Sequence, residues 1–347
     1  MLAVGQLSGI VEELPNPYLL VRPLQLREAV ASSKIEGTQT ELRQLLLFQA
    51  AEQAEDAPRD VREVDNYTRA LSYGTSQPPD RRLTVALMKE MHQLLLSSVR
   101  GERQHPGELR RTQVWISGDG TSIEEARFVP PPPTAIVGLL EELERFIEAE
   151  SPLPPLIRLA LVHYQFETIH PFEDGNGRLG RLLIPLLMVR WGLMRQPALY
   201  VSDYFNVYRD LYVDGLWNVS RFGMWREWIR LFLVAVRGQA LDGFARAGRL
   251  SACRHEYEDR YKSGRTSATI LRIFDMLFES PAVTVPMVEQ RLRVTYPTAA
   301  RWVRQLVDDD ILVEVTDRPR NRIFLATEIF AILNARPFFA SKGRAEQ

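Results

Sequence analysis

His170-Pro-Phe-Glu-Asp-Gly-Asn-Gly-Arg-Leu-Gly-Arg181 is the densest cluster of chemistry-bearing residues in the chain. Apolar residues recur at helical spacing on both sides of it, from Pro155 toward Ile169 and from Gly177 to Trp191. Pro171 blocks continuation of the first helix, because the residue before a proline is pushed out of the helical region. Asp174, Gly175, Asn176 and Gly177 are turn residues placed directly before the second. The spacing predicts two helices joined by a short loop. Such a loop presents backbone N–H groups at a helix N-terminus, a ready anion site. Its two glycines let a ligand approach the backbone closely.

The side chains suit a phosphate ligand. Arg178 and Arg181 are three apart in the new helix and share a face in its first turn. Positive charge there opposes the helix dipole and costs stability, which a bound anion would relieve. Asp174 offers a hard oxygen ligand for Mg2+, an ion that normally travels with phosphates. His170 can accept a proton near neutral pH. The alternative is an ordinary helix start with Asn176 as N-cap and two arginines in solvent. That alternative leaves the company of His, Asp and two Arg at this spacing unexplained.

The chain around the cluster has 347 residues, which at about 150 residues per domain predicts roughly two domains. Apolar residues make up 45 % and charged residues 25 %, which excludes disorder, collagen and a disulfide mini-protein. Acidic residues number 44 against 43 basic ones, so the net charge of −1 excludes a uniformly basic nucleic-acid coat. Lysine stands only at 34, 89, 262 and 342, leaving 39 arginines. Arginine is the better residue for forked contacts to phosphate or carboxylate, although codon bias accounts for most of such an excess. Cys253 is the only cysteine, so no intramolecular disulfide and no cysteine-based zinc site can form. The start, MLAVGQLSGI, is a poor signal peptide. The longest apolar run, around Leu182 to Val189, is far short of the roughly 20 residues of a spanning helix, so a soluble cytoplasmic protein with no membrane partner is expected.

Most of the chain reads as helix. Leu24 to Glu55 is interrupted only by Gly37, and Val61 to Tyr73 and Leu83 to Val99 look amphipathic. Thr112-Gln-Val-Trp-Ile-Ser and Ala126-Arg-Phe-Val read as two strands around a glycine turn, hence a hairpin. Pro130 to Pro133 forces an extended stretch after it. Helices resume at Thr134 to Ala149 and, further on, from Asn206 to about Arg260. The polar run Arg260 to Ser267 is the best domain boundary. After it come three helices, Ile270 to Phe278, Val285 to Leu292 and Thr295 to Asp308, then strands Ile311 to Val315 and Arg322 to Ala326. Three helices and a hairpin are the layout of a winged helix-turn-helix.

The string HPFEDGNGRLGR resembles the signature of the Fic family, His-Pro-Phe-x-acid-Gly-Asn-Gly-Arg-x-x-Arg, at every specified position. The resemblance extends from about Leu24 to Val236. It implies a mainly α fold: a helical bundle around the helix–loop–helix, with a small β-hairpin flap, followed here by the winged helix. It divides the chain into an N-terminal helical region (1–75), a Fic core (76–260) and a winged-helix domain (266–335). It implies a Mg-dependent protein adenylyltransferase that moves AMP from ATP to a protein hydroxyl, its own included. Carried over by position, His170 would be the general base and Asp174 the Mg2+ ligand. Gly175, Asn176 and Gly177 would cradle phosphates, and Arg178 and Arg181 would hold the β- and γ-phosphates. Gly177, where other members carry Lys, favours AMP transfer over phosphorylation. The hairpin at 112–129 matches the family's flap, which would register a protein substrate by strand addition. The family often has a Tyr-Tyr pair at the adenine; only Tyr212 is present here, and it serves the adenine pocket or the core.

Ser32-Ser-Lys-Ile-Glu36-Gly37 resembles the family's inhibitory motif, Ser/Thr-x-x-x-Glu-Gly/Asn, placed N-terminal to the core as in class II members. The resemblance implies that Glu36 pairs with Arg181 and occupies the fork needed by the γ-phosphate. An arginine–carboxylate pair is a strong bidentate match, so the competition is physically sound. Arg301 and Arg304 on the winged helix, with Arg318, Arg320 and Arg322 on its wing, admit DNA as a partner, while Asp308, Asp309 and Asp310 oppose it. Such modules also bind proteins or form homodimers. Alternatives to the enzyme are a DNA-binding regulator with a nucleotide-sensing Fic part, an inert helical scaffold with a degenerate site, and a Fic enzyme that removes AMP.

Overall fold

The computed structural model describes residues 1–347 except 14–15, 52–57, 79–80, 98, 100–104, 117–121, 262–266, 317–320 and 343–347. The first two helices are α1 (Leu2–Glu12) and α2 (Tyr18–Ile35). Gly37, at φ 91°, takes the chain into the left-handed region and ends α2. The long helix expected from Leu24 to Glu55 is therefore two. The second, α3 (Leu42–Ala50), starts afresh at Glu41, which exchanges hydrogen bonds with Gln44 in a capping box. Next come α4 (Arg59–Thr75) and α5 (Val85–Leu95), the latter capped by Thr84 Oγ1, which accepts the Leu87 N–H.

The hairpin between α5 and α6 (Ile136–Glu148) is thinner than the sequence suggests. Among the described residues one bridge, Ile116 to Phe128, joins its two arms, and the turn at 117–121 lies outside them. Side chains do the rest of the joining. Gln113 donates to the Pro130 carbonyl at 2.9 Å, and Arg110 donates to the carbonyls of Thr112 and Pro131. Prolines on the returning arm have no N–H to give, so no longer ladder can form there.

Helices α7 (Pro155–Ile169) and α8 (Asn176–Arg190) flank the loop. Leu179, Leu182, Leu183, Ile184, Leu186, Leu187 and Met188 of α8 are all buried, as a helix at the centre of a bundle requires. It packs against α2, α4, α5 and α7. Around this centre lie α9 (Ser202–Val207), α10 (Arg209–Phe222) and the 37-residue α11 (Trp225–Tyr261), which also carries α1 along its side.

After α11 come α12 (Ser267–Glu279), β1 (Ala282–Thr284), α13 (Val285–Leu292), α14 (Tyr296–Asp308), β2 (Val313–Glu314) and β3 (Ile323–Leu325). The strands form one antiparallel sheet in the order β1-β3-β2, with Ala282 opposite Leu325 and Glu314 opposite Phe324. β1 is three residues long and goes unseen in the sequence because it pairs only with β3, some forty residues later. Two more elements lie beyond the expected hairpin: α15 (Thr327–Asn334), which returns to pack on α2 and α11, and α16 (Phe339–Lys342). Arg318 and Arg320 lie outside the described residues. No described helix is long and apolar enough to cross a membrane.

Candidate active site

α7 stops at His170, whose backbone sits in the left-handed region at φ 49°. That conformation is held from both sides: its N–H donates to Phe166 O at 3.1 Å, and its carbonyl accepts Arg110 Nε at 2.8 Å. Arg110 is buried and also grips both arms of the hairpin, so one side chain ties the hairpin to the loop. His170 Nδ1 lies 3.2 Å from the Glu167 carbonyl, an obligate acceptor, so Nδ1 carries the proton and Nε2 keeps its lone pair. Burial is the main cause that lowers the imidazole from 6.5 to about 4, leaving it neutral at neutral pH.

The loop is stapled by its own Asn176. The amide donates to Phe172 O and accepts the Phe172 N–H, each at 2.9 Å. Gly175, at φ 80°, is the N-cap; Asn176 is already the first residue of α8. Asp174 Oδ1 accepts the Gly175 N–H at 2.6 Å and meets Arg178 at 3.4 Å, and its side chain stays 30 % exposed. A second staple goes unseen in the sequence. His92 of α5, fully buried, stacks on Phe172 with centroids 3.8 Å apart and reaches the Asp174 carbonyl at 2.8 Å. It sits 82 residues before Asp174, and a lone histidine on an apolar helix carries no signal of such a contact.

The two arginines are not solvated; each is about 1 % exposed. They share the start of α8 but turn to different partners. Arg178 pairs with Glu63 of α4 at 3.2 Å and with Asp174. Arg181 donates from Nε to Ser32 Oγ at 2.9 Å, from one terminal nitrogen to Ser32 O at 2.9 Å, and from the same nitrogen to Glu36 Oε1 at 2.6 Å. Burial acts to raise the Glu36 carboxyl, but the charge and hydrogen bond of Arg181 outweigh it and hold the group below its ordinary value. The carboxylate presses on Gly177: a Cβ there would lie 2.4 Å from Glu36 Oε1 and 2.9 Å from the Arg181 guanidinium. Gly37 serves this placement only as the helix stop that leaves Glu36 free to turn inward.

A cavity of about 190 Å3 opens over this pair. His170, Gly177, Arg181, Glu36, Glu167 and Tyr212 line it, with an apolar wall that includes Ile116, Val213, Leu216 and Trp217. Asp174, Gly175, Asn176 and Arg178 lie outside that wall. Tyr212 borders the cavity but belongs mostly to the core. It is 4 % exposed, stacks on Phe205 at 4.2 Å and lies 3.0 Å from His163 Nε2. His163 Nδ1 faces the Gly180 carbonyl, so Nε2 accepts the tyrosine hydroxyl. Glu167 is nine-tenths buried beside Gly180; burial raises its carboxyl to about 7, and its Oε1 has no hydrogen-bond partner among the described residues.

Among the described residues there is no group of three or more acidic, His or Cys side chains able to hold a metal by themselves. Asp174 is a single hard carboxylate just before the N-terminus of α8. That suits Mg2+, which keeps several waters and takes its other ligands from phosphate oxygens.

Comparison with known proteins shows what the chain is similar to. The chain is 37 % identical over 112 residues to "Protein adenylyltransferase Fic" of Drosophila melanogaster, covering 32 % of this chain and 20 % of that protein. It is 33 % identical over 135 residues to "Protein adenylyltransferase fic-1" of Caenorhabditis elegans, covering 38 % and 24 %. The chain thus spans about a fifth to a quarter of these relatives' length. The fold matches a Fic family protein from Desulfovibrio desulfuricans G20 with a TM-score of 0.54 at 19 % identity, covering 94 % of this chain and 96 % of that one. It matches Fic-1 (aa134 - 508) from C. elegans with a TM-score of 0.53 at 22 % identity, covering 73 % and 71 %. The Fic/DOC N-terminal family model matches residues 1–76 and the Fic/DOC family model residues 82–188, together more than half of the sequence, and the chain belongs to the Fic/DOC family.

Proposed function

We propose that this protein is an adenylyltransferase that moves AMP from ATP to a hydroxyl side chain of a protein, and that Glu36 inhibits it. The observation that carries the reading is a single cavity holding both a neutral imidazole with a free Nε2, on His170, and a buried guanidinium, on Arg181, one terminal nitrogen of which is held by the Glu36 carboxylate. His170 Nε2 would take the proton of the acceptor hydroxyl as its oxygen attacks the α-phosphorus. The bond from that phosphorus to the β-phosphate oxygen would break, and pyrophosphate would leave. Loop N–H groups, Arg178 and Arg181 would hold the phosphates in place, so the site works by positioning and charge rather than covalent help. Bound at Asp174, Mg2+ would offset the phosphate charge. Exposed Trp115 and Ile116 give the hairpin an apolar edge for a target chain. The Glu36 contact to an Arg181 terminal nitrogen supports its inhibitory role: a γ-phosphate cannot take that nitrogen until the carboxylate leaves.

The test is incorporation of label from α-labelled ATP into the purified protein. Glu36→Gly is expected to raise the rate at least about tenfold, the worth of one charge-assisted hydrogen bond, and His170→Ala to abolish it. An unchanged Glu36→Gly rate would refute the inhibition, and an active His170→Ala protein would refute the base. The same reading takes residues 266–335 as a winged helix, supported by the order of three helices and a small antiparallel sheet.

A further inference from the structure

We propose that His92 is a positioning residue of the loop: its Nε2–H holds the Asp174 carbonyl and thereby sets the aim of the Asp174 carboxylate and of the N–H groups that follow. What the loop binds rests on the adenylyltransferase reading; the contact does not. His92 is fully buried on α5, and each ring nitrogen faces a partner of one polarity. The Gly107 N–H can only donate, so Nδ1 accepts it, at 2.9 Å. The Asp174 carbonyl can only accept, so Nε2 carries the proton, at 2.8 Å. A single neutral tautomer meets both demands, and a charged ring would lose the Gly107 contact. The ring face lies on Phe172 with 11° between planes, and Nε2 would come within 3.2 Å of a Cβ on Gly175. One side chain therefore touches the loop at Phe172 and Asp174 and fills the space beside Gly175. The side chain of Asp174 is itself bonded to the Gly175 N–H, so fixing one peptide of the loop fixes the carboxylate. Groups that orient a metal-binding carboxylate matter nearly as much as the carboxylate.

Two substitutions separate positioning from packing. In His92→Asn the amide oxygen replaces Nδ1 and keeps the Gly107 contact, but no donor reaches Asp174. In His92→Gln the amide nitrogen replaces Nε2 and keeps the Asp174 contact. Amide hydrogen exchange at 172–177 is expected to rise roughly tenfold in His92→Asn, the worth of one net hydrogen bond, and to stay near the parent rate in His92→Gln. In the Glu36→Gly background, calorimetry with Mg2+ and α,β-methylene-ATP is expected to show about 10- to 100-fold weaker binding for His92→Asn, and little loss for His92→Gln. Equal exchange in the two variants, or a larger rise in His92→Gln, overturns the proposal. If the Glu36→Gly parent binds no analogue, the adenylyltransferase reading falls while the exchange data still judge His92. Should both variants unfold, imidazole nitrogen NMR of the unaltered protein decides. The Nε2–H tautomer with a slowly exchanging proton supports the proposal, and the Nδ1–H tautomer overturns it.

Discussion

Arg181 is the side chain on which the site turns, and it is charged although almost nothing of it meets solvent. An unpaired buried cation is costly; Glu36 and the two oxygens of Ser32 meet that cost. A phosphate could do the same, so exchange of one anion for another leaves the arginine satisfied at both ends. His170 shows a different economy. Its lowered value means the ring gains a proton only as the pH falls through about 4. Glu36 is among the causes that raise it, so removing that carboxylate lowers it further. The kcat/KM of Glu36→Gly is therefore expected to stay flat from pH 8 down to about 5.5 and to fall only below about 4. An acid limb centred at the ordinary histidine value of about 6.5 would contradict the assignment. The identities of His170, Arg178 and Arg181 are legible in the sequence because they crowd into one loop. Their burial is not, since partners such as Glu63 and Ser32 come from α4 and α2, more than a hundred residues away.

Between α7 and α8 there is no room for a side chain at Gly180, where a Cβ would fall 2.2 Å from Glu167 Oε1 and 3.0 Å from the Phe166 ring. Both helices are pinned by buried apolar residues, so neither can retreat. Gly180→Ala is expected to destabilise the protein by about 1–3 kcal/mol, the usual range for overpacking a core. Gly138, on the exposed face of α6 with nothing within 4 Å, provides the contrast. Gly138→Ala is expected to stabilise by about 0.5–1 kcal/mol, because alanine gives up less freedom in a helix. Urea unfolding of the two variants checks the pair; equal shifts would contradict the packing argument. Helix identity along α5 to α8 follows directly from periodicity and punctuation. The hairpin does not follow so simply: strand propensity marks its arms, yet prolines leave it one described bridge and a reliance on Arg110 and Gln113.

Across the whole molecule, two arginines fasten the end of α15 to the bundle. Arg246 of α11, fully buried, pairs with Asp242 and donates to the carbonyls of Ile332, Leu333 and Ala335. Arg27 of α2 pairs with Asp203 and donates to Leu333 and Ala335 as well. Cations at a helix C-terminus satisfy its orphan carbonyls and complement its dipole. Arg246→Met is expected to cost about 3–5 kcal/mol, because it strands the buried Asp242 carboxylate and takes the arginine donor from the Ile332 carbonyl, while Arg27 still serves Leu333 and Ala335. Pairing it with Asp242→Leu is expected to recover part of that loss. Thermal unfolding and amide exchange across 327–335 measure both; an unaltered melting point for Arg246→Met would refute the fastening.

Local pattern was enough to mark the helices, through their periodicity, and the loop with its histidine, acid, glycines and arginines and the Ser32–Glu36 segment, because these last two are each written within a dozen consecutive residues. Only the tertiary structure decided that Arg181 and Glu36 meet at 2.6 Å, that Tyr212 packs mainly in the core, that His92 holds the loop and that α15 returns to α2. Each of these joins groups far apart in the chain, and side-chain type alone does not say which buried polar group another will find. Burial demands that every such group be paired, but it is the packing of the helices that selects the partner.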